Sequence, residues 1–415
     1  MQPNTVPSRS TAADPAAPVL ARALALVEDL KLDAVRRYKQ EHPGALAVGI
    51  LPVYAPRPLF EALNVLPVGM YGGGDHVDII RGDSFYQSYI CHIPRSVIEL
   101  GLGGALDALD GMVFPSTCDV IRNLNGMWKM LFPNRWVTYL DLPQNFEPVM
   151  GGKFYVHDMQ RMANELVKVG ARPLTRENLL VAVAHENRRR ALLADLDALR
   201  RNTPWKVRAS EAYLLVRAGC LMDATQHADM LQEFLGLVDQ RELRRYDNMR
   251  VIVVGAFCEQ PPLGLIRTLE KSGCDLVDDD FQLGLKMIEG PIPSSKADLP
   301  GINCAPLNPE EPLDAIALAF LYAGTATSTR YIGKDVKGRA LVERVKRGRA
   351  DGVIFAAPSF CDPALLDQPM MEKALNDAGI PHTSFKYSEN SGQFQSIREQ
   401  AGAFSDSVKL WGSAA

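Results

Sequence analysis

Long apolar runs are missing from this 415-residue sequence. None approaches the ~18 residues that a membrane-spanning helix needs, so no membrane partner is expected. A dominant charge is missing too: 45 basic residues face 49 acidic ones, a formal net charge of -4. Phosphate-dominated recognition of nucleic acid is therefore not expected. The opening MQPNTVPSRSTAADPAAP has no basic stretch followed by an apolar one, so it does not read as a secretory signal. The expectation is a disordered tail over residues 1–18 on a cytoplasmic protein. Cysteine is sparse: seven in all, no two closer than the 16 residues between Cys258 and Cys274. That spacing excludes a CxxC redox pair or zinc knuckle. In a reducing compartment the seven start as thiols. A nucleotide fingerprint is also missing. Gly72-Gly73-Gly74 has neither the GxGxxG spacing nor the Lys-Ser/Thr of a Walker loop. It reads as a permissive turn, able to approach a ligand closely. Chemistry that needs ATP must then draw on another subunit.

What is present is ordinary globular material, 47% hydrophobic and 23% charged, in a chain too long for one core. Residues 19–38 carry apolar positions at helical spacing. ALAVGILPVY at 45–54 is a short apolar run bounded by Pro and Gly, as expected of a buried parallel strand. A Pro-flanked helix at 58–63 and a strand at 65–70 complete a βαβ unit. Strands are also expected at 111–114 and 136–142, with a helix at 120–131 between them. A long helix is expected over 177–199, capped by Thr175. Its run Glu186-Asn187-Arg188-Arg189-Arg190 reads as a solvated face. The plan then restarts: MRVIVVGAF, a Pro-Pro turn, a helix over 263–271 and a strand over 274–277. A basic helix follows at 338–349, then the strand DGVIFAAPSF. DGMVF leads to Cys118-Asp119, and DGVIF leads to Cys361-Asp362. The fold class expected is α/β, with two Rossmann-like, doubly wound domains of parallel sheets plus N-terminal and connecting helices. Their limits are set at 19–245 and 246–415.

In open parallel sheets, functional groups gather in the loops after the carboxyl ends of strands. Cys118 and Cys361 both fall there, each just ahead of a helix whose N-terminal dipole favours a thiolate. Asp119 and Asp362 can cap those helices. Cys91, in YICHIPRS, precedes a helix with Pro94 in its first turn, and Cys258 also follows a strand. Cys220, Cys274 and Cys304 lack this placement. A lone cysteine is most often a small buried hydrophobe. Thiolates on facing loops could instead hold zinc or an iron–sulfur cluster. Spacing alone does not choose among these.

The segments PVYAPRPLFEALNVLPVGM, YQSYICHIPRS, DGMVFPSTCDVIRNL and FAAPSFCDPALLDQP, with GIPHTSFKYSEN and IREQAGAF, resemble the benzoyl-CoA reductase and 2-hydroxyacyl-CoA dehydratase family. The resemblance runs over residues 30–412. It leans to the reductase branch, and there to the smaller cluster-bearing subunit, of the gamma or C type. It implies a [4Fe–4S] cluster between two Rossmann-like domains, on Cys91, Cys118 and Cys361. Three thiolates would leave one iron open. It further implies a homologous cluster-bearing partner subunit, ATP-hydrolysing electron-activating subunits, ferredoxin as the indirect donor and an acyl-CoA substrate. The reaction implied is reductive dearomatisation of benzoyl-CoA to cyclohexa-1,5-diene-1-carboxyl-CoA. A dehydratase subunit and an electron-relay or scaffold subunit are the alternatives, and a metal-free binding protein stands outside the family. One departure is that Asp279-Asp280-Phe281-Gln282 carries glutamine where relatives often have cysteine. Cys258 reads more readily as a packed thiol than as its substitute. His92 and Glu259 could move protons but read first as hydrogen-bonded residues, and Trp128 and Trp136 read as core.

Overall fold

The computed structural model describes residues 14–51, 54–87, 89–255, 263–281, 284–328, 330, 334–388 and 394–412. Cys258, Glu259 and Gln282 lie outside them. The first sheet holds β1 (Leu46–Ile50), β2 (Val65–Gly69), β3 (Gly111–Pro115) and β4 (Trp136–Leu140). The second holds β5 (Met249–Val254), β6 (Cys274–Asp279), β7 (Gly352–Pro358) and β8 (His382–Tyr387). The orders are β2-β1-β3-β4 and β6-β5-β7-β8, and every pairing is parallel. The chain is thus α/β with two Rossmann-like halves. The apolar runs that fill these strands are what a sheet covered on both faces requires.

The halves repeat in detail. The amide of Asp110 donates to Ala47 O at 2.7 Å, and its carboxylate accepts the Ala47 N–H at 2.8 Å. Asp351 does the same with Arg250, at 2.7 and 2.8 Å. Each aspartate therefore clamps the third strand of its sheet to the first.

Helices fill the space around and between the sheets. The expected single helix over residues 19–38 is two, Ala17–Val27 and Asp33–Glu41. Between them Leu32 takes a left-handed φ of 57°, which no continuous helix accommodates. Asp14, within the segment expected to be a tail, pairs its carboxylate with buried Arg241 at 2.6 Å. The long helix spans Arg176–Asn202, and the Thr175 side chain accepts the Asn178 N–H at its start. It packs against the helices Arg57–Ala62 and Ala224–Leu237 and against β6.

That packing corrects the reading of Glu186–Arg190 as a solvated face. Glu186 and Arg189 are 3% and 0% exposed. Glu186 pairs with Arg189 and, at 3.0 Å, with Arg190. A charge run in sequence does not reveal that neighbouring helices cover it. Trp128 is buried as expected, while Trp136 is half-buried. An apolar cluster runs from Ala47 and Met112 of the first sheet, through the helix Ala209–Ala218, to Val251 and Ile354 of the second.

Burial alone would raise the Glu186 carboxyl, but the adjacent Arg189 and Arg190 outweigh it and hold the group down to about 2. Its unfolded value is about 4.3, so its contribution, roughly 3 kcal/mol, is complete above that pH and fades as pH falls through about 2. Glu186→Gln should lower stability at neutral pH by roughly 3 kcal/mol, because Arg189 stays buried without its partner. It should also flatten the acid side of the stability profile. Urea midpoints at pH 7 and pH 3 check this, and equal midpoints for variant and wild type at both values would contradict it.

Candidate functional site

Winding reverses between β1 and β3, and again between β5 and β7, which opens a crevice at the carboxyl end of each sheet. The strand after each reversal ends in a turn of the same pattern, Pro-Ser-x-Cys-Asp. Pro115-Ser116-Thr117-Cys118-Asp119 follows β3 and Pro358-Ser359-Phe360-Cys361-Asp362 follows β7. Ser116 donates its amide to Leu140 O at 2.9 Å, and Ser359 to Tyr387 O at 2.7 Å. These bonds tie both turns to the neighbouring edge strand. The turns then deliver Cys118 and Cys361 as N-caps of the helices Asp119–Leu131 and Asp362–Asp377. Cys91 is the N-cap of the helix His92–Leu102. All three cysteines thus sit where amide N–H groups and the helix dipole stabilise negative charge.

Cys118 and Cys361 are brought together, although they lie in different sheets' loops. Burial pushes the Cys118 thiol up, the amides of Ile121 and Val120 pull it down, and the charge of Cys361 raises it again. Cys91 joins them through Tyr86. That phenol is pushed well above its ordinary range by burial, with Cys91 and Cys118 adding to the shift. Its hydroxyl donates to Val120 O at 3.4 Å.

The loop carrying Tyr86 is pinned from the Cys91 helix. Glu99 accepts the amides of Ile80, Arg81 and Gly82 at 2.9, 2.6 and 2.9 Å, and Arg81 Nε at 3.1 Å. Burial would raise its carboxyl, but the Gly82 and Ile80 amides lead a set of donors that hold it below the ordinary range. A Cβ on Gly82 would lie 2.1 Å from Arg95 O, so only glycine lets the loop approach this helix. Glu99 is the residue here that sequence reading misses. The one signal for Glu99 is a single glutamate in an otherwise apolar stretch, SVIELGL.

The other candidates divide. Cys220, Cys274 and Cys304 are buried at 1%, 0% and 5% exposure. Cys220 lies near the Tyr71 hydroxyl, and Cys274 starts β6 at the opposite end of the sheet from Cys361. His92 is the first residue after the Cys91 cap. The Gly72–Gly74 turn has left-handed φ at Gly72 and Gly74, as its composition suggested. At the end of β6, Arg344 bonds Asp278 at 2.9 Å and Asp280 at 2.6 Å, and Asp280 accepts the Gly255 amide at 3.3 Å. These groups line a cavity of about 630 Å³ with Thr325, Thr327 and Lys337. A larger cavity, about 880 Å³, opens beside Trp205 and Asp275 at the amino end of the second sheet, away from the three cysteines.

Among the described residues, no three His, Cys, Asp or Glu side chains converge as ligands of a single metal ion. A cubane cluster makes a different demand, because it spreads its thiolates over separate irons. Three helix-capping thiols, none in a disulfide, are a donor set suited to iron–sulfur ligation.

Fold and site together define an α/β enzyme subunit of two parallel-sheet halves, with cysteine-capped helices at the carboxyl ends of both sheets. The chain belongs to the 2-hydroxyglutaryl-CoA dehydratase D-component family, whose model matches residues 52–408. It is 44% identical to the C-type subunit of benzoyl-CoA reductase from Thauera aromatica, over 95% of this chain and 99% of that protein. It is 25% identical to the (R)-phenyllactyl-CoA dehydratase beta subunit of Clostridium sporogenes, over 89% and 93% of the two chains. It is 24% identical to the (R)-2-hydroxyglutaryl-CoA dehydratase beta subunit of Acidaminococcus fermentans, over 90% and 94%. Each of these relatives is a subunit of an enzyme. No helix among the described residues is long and apolar enough to cross a membrane.

Glu99→Ala leaves three amides without their acceptor. It should cost roughly 2 kcal/mol and open residues 78–87 to protease. Limited proteolysis read by mass spectrometry checks this, with cleavage at the wild-type rate as the contrary result.

Proposed function

We propose that the chain is the iron–sulfur subunit of an ATP-dependent benzoyl-CoA reductase. The observation that carries this reading is the 44% identity to the C-type subunit of benzoyl-CoA reductase over nearly the full length of both chains. The reaction adds two electrons and two protons to the ring of benzoyl-CoA and gives cyclohexa-1,5-diene-1-carboxyl-CoA. Cys91, Cys118 and Cys361 would hold a [4Fe–4S] cluster, supplying one-electron chemistry at low potential when bound.

The chain's own residues have definable parts in this. The three helix N-termini offset the negative charge that thiolates and sulfides bring. Glu99 and Gly82 fix the loop that sets Tyr86 against Cys91 and Cys118. Burial of Cys361, 5% exposed, keeps water from that thiol, as a strongly reducing site requires. With no Walker loop in the sequence, ATP hydrolysis falls to other subunits, fed by ferredoxin. A homologous partner with a cluster of its own completes the assembly, and the cytoplasm is its expected compartment.

The dehydratase relatives at 24% and 25% identity keep a second reading in view, in which the substrate is a 2-hydroxyacyl-CoA. An aromatic acyl group is flat and lacks a hydroxyl, so an apolar pocket accepts it without an iron–oxygen bond. The assembled complex, given reductant and ATP, should consume benzoyl-CoA and leave 2-hydroxyacyl-CoA thioesters unchanged. Dehydration at a comparable rate would move the protein to the second reading.

The ligand set is tested separately. Cys91→Ser, Cys118→Ser and Cys361→Ser should each lose iron and acid-labile sulfide, while Cys220→Ser, Cys274→Ser and Cys304→Ser retain both. Iron retained in the Cys361→Ser variant would overturn the assignment.

A further inference from the structure

The two Pro-Ser-x-Cys-Asp turns are built differently at their middle residue. In the first half that residue is Thr117, buried at 9% exposure, with its amide donating to Pro115 O at 2.8 Å and no left-handed φ. In the second half it is Phe360, with a φ of 67°. There the Cys361 amide donates to Pro358 O at 3.2 Å, closing a four-residue turn with Phe360 third. A left-handed third position is where turns take glycine or asparagine. A bulky aromatic there is strained. Nor does core packing explain the ring, because Phe360 is 51% exposed. Backbone and burial both disfavour this residue, and its neighbour in the chain is Cys361. Strain kept against both pressures marks functional positions.

The surroundings indicate what the ring does. Cys361 itself is only 5% exposed, within electrostatic reach of Cys118. Tyr89, two residues before Cys91, is 62% exposed. An exposed aromatic residue therefore stands close in the chain to two of the three thiols. We propose that Phe360 is a shielding residue, whose ring stands over the mouth formed by Cys361 and Cys118 and keeps water and small polar reagents from the thiols and from what they hold. The left-handed turn is the means, since it holds the ring out at the carboxyl edge of β7 instead of folding it into the core as Thr117 is folded. The inference deepens the iron–sulfur reading and rests on it for the identity of the protected group.

The test uses the full chain, purified anaerobically, with Phe360→Gly and the conservative Phe360→Tyr. Shielding without strain relief predicts no change in Tm for Phe360→Gly, and strain relief predicts a rise of about 1–3 °C. Either supports a ring held outside the core, whereas a fall in Tm of the size caused by deleting a core aromatic overturns the proposal. Iodoacetamide labelling of the iron-stripped chain, followed at Cys361 and Cys118 by mass spectrometry, should speed up several-fold in Phe360→Gly and stay at the wild-type rate in Phe360→Tyr. Equal labelling rates in Phe360→Gly and wild type overturn the proposal. In the iron-loaded chain, chelator-driven loss of visible absorbance should follow the same order. A wild-type chain that binds no iron would refute the iron–sulfur reading, while the labelling rates would still decide whether Phe360 shields the thiols.

Discussion

A buried ion pair holds the two halves of this protein in register. Arg200, near the end of the long helix Arg176–Asn202, is 2% exposed and pairs with Asp279 at the carboxyl end of β6. Asp278 and Asp280, on either side, are taken by Arg344. Burial would raise the Asp279 carboxyl, but Arg200 and Lys286 hold it down, so the pair stays ionised. A helix that also packs against the helix Arg57–Ala62 of the first half is thereby locked to the second sheet. Breaking one partner of such a pair leaves an uncompensated buried charge, which typically costs about 3–5 kcal/mol. The proximity of Cys118 to Cys361 depends on how the two halves are held together, by this pair and by the apolar cluster that runs between the sheets.

Within each half, a local rule does the rest. A parallel strand ends, the chain turns through Pro-Ser-x-Cys-Asp, and a helix begins with cysteine as its cap. Serine, threonine, aspartate and asparagine are the usual caps, because a side-chain oxygen can accept an amide N–H. Cysteine is a poor substitute as a neutral thiol. It becomes a suitable one when the sulfur is anionic, since the orphan amides and the dipole then act on a charge. Three cysteine caps are a stability loss as neutral thiols and become favourable ones where the sulfurs are ionised.

Much of this is legible in the sequence because it is periodic or local. Seven strands can be located from short apolar runs bounded by Pro and Gly, and the strand-end placement of Cys118 and Cys361 follows from the same runs. The edge strand His382–Tyr387 escapes that reading, since HTSFKY alternates weakly and only Tyr387 is fully buried. The charged stretch Glu186–Arg190 misleads because burial of a charge pair is decided by neighbouring helices, which leave no mark on the run itself. Glu99 is hidden for a related reason: its partners are backbone amides, and backbone has no sequence signature. The choice of Cys91 as third member comes from family resemblance. Tyr86, which links it to Cys118, is apparent only in three dimensions.

The repeat also shows where symmetry is given up. Asp110 and Asp351 clamp their strands with the same bonds at matching distances, and the serines of the two turns anchor to matching edge strands. Such matching is expected where the residue serves only the sheet, since both sheets have the same hydrogen bonds to satisfy. The turns diverge at one position, Thr117 against Phe360, buried in the first half and exposed in the second. A site shared by two similar halves still has to be entered from one side and closed from another. Identical turns would present the same surface to both. Keeping the strand clamps while changing the residue before one cysteine gives the two turns different surfaces without disturbing either sheet.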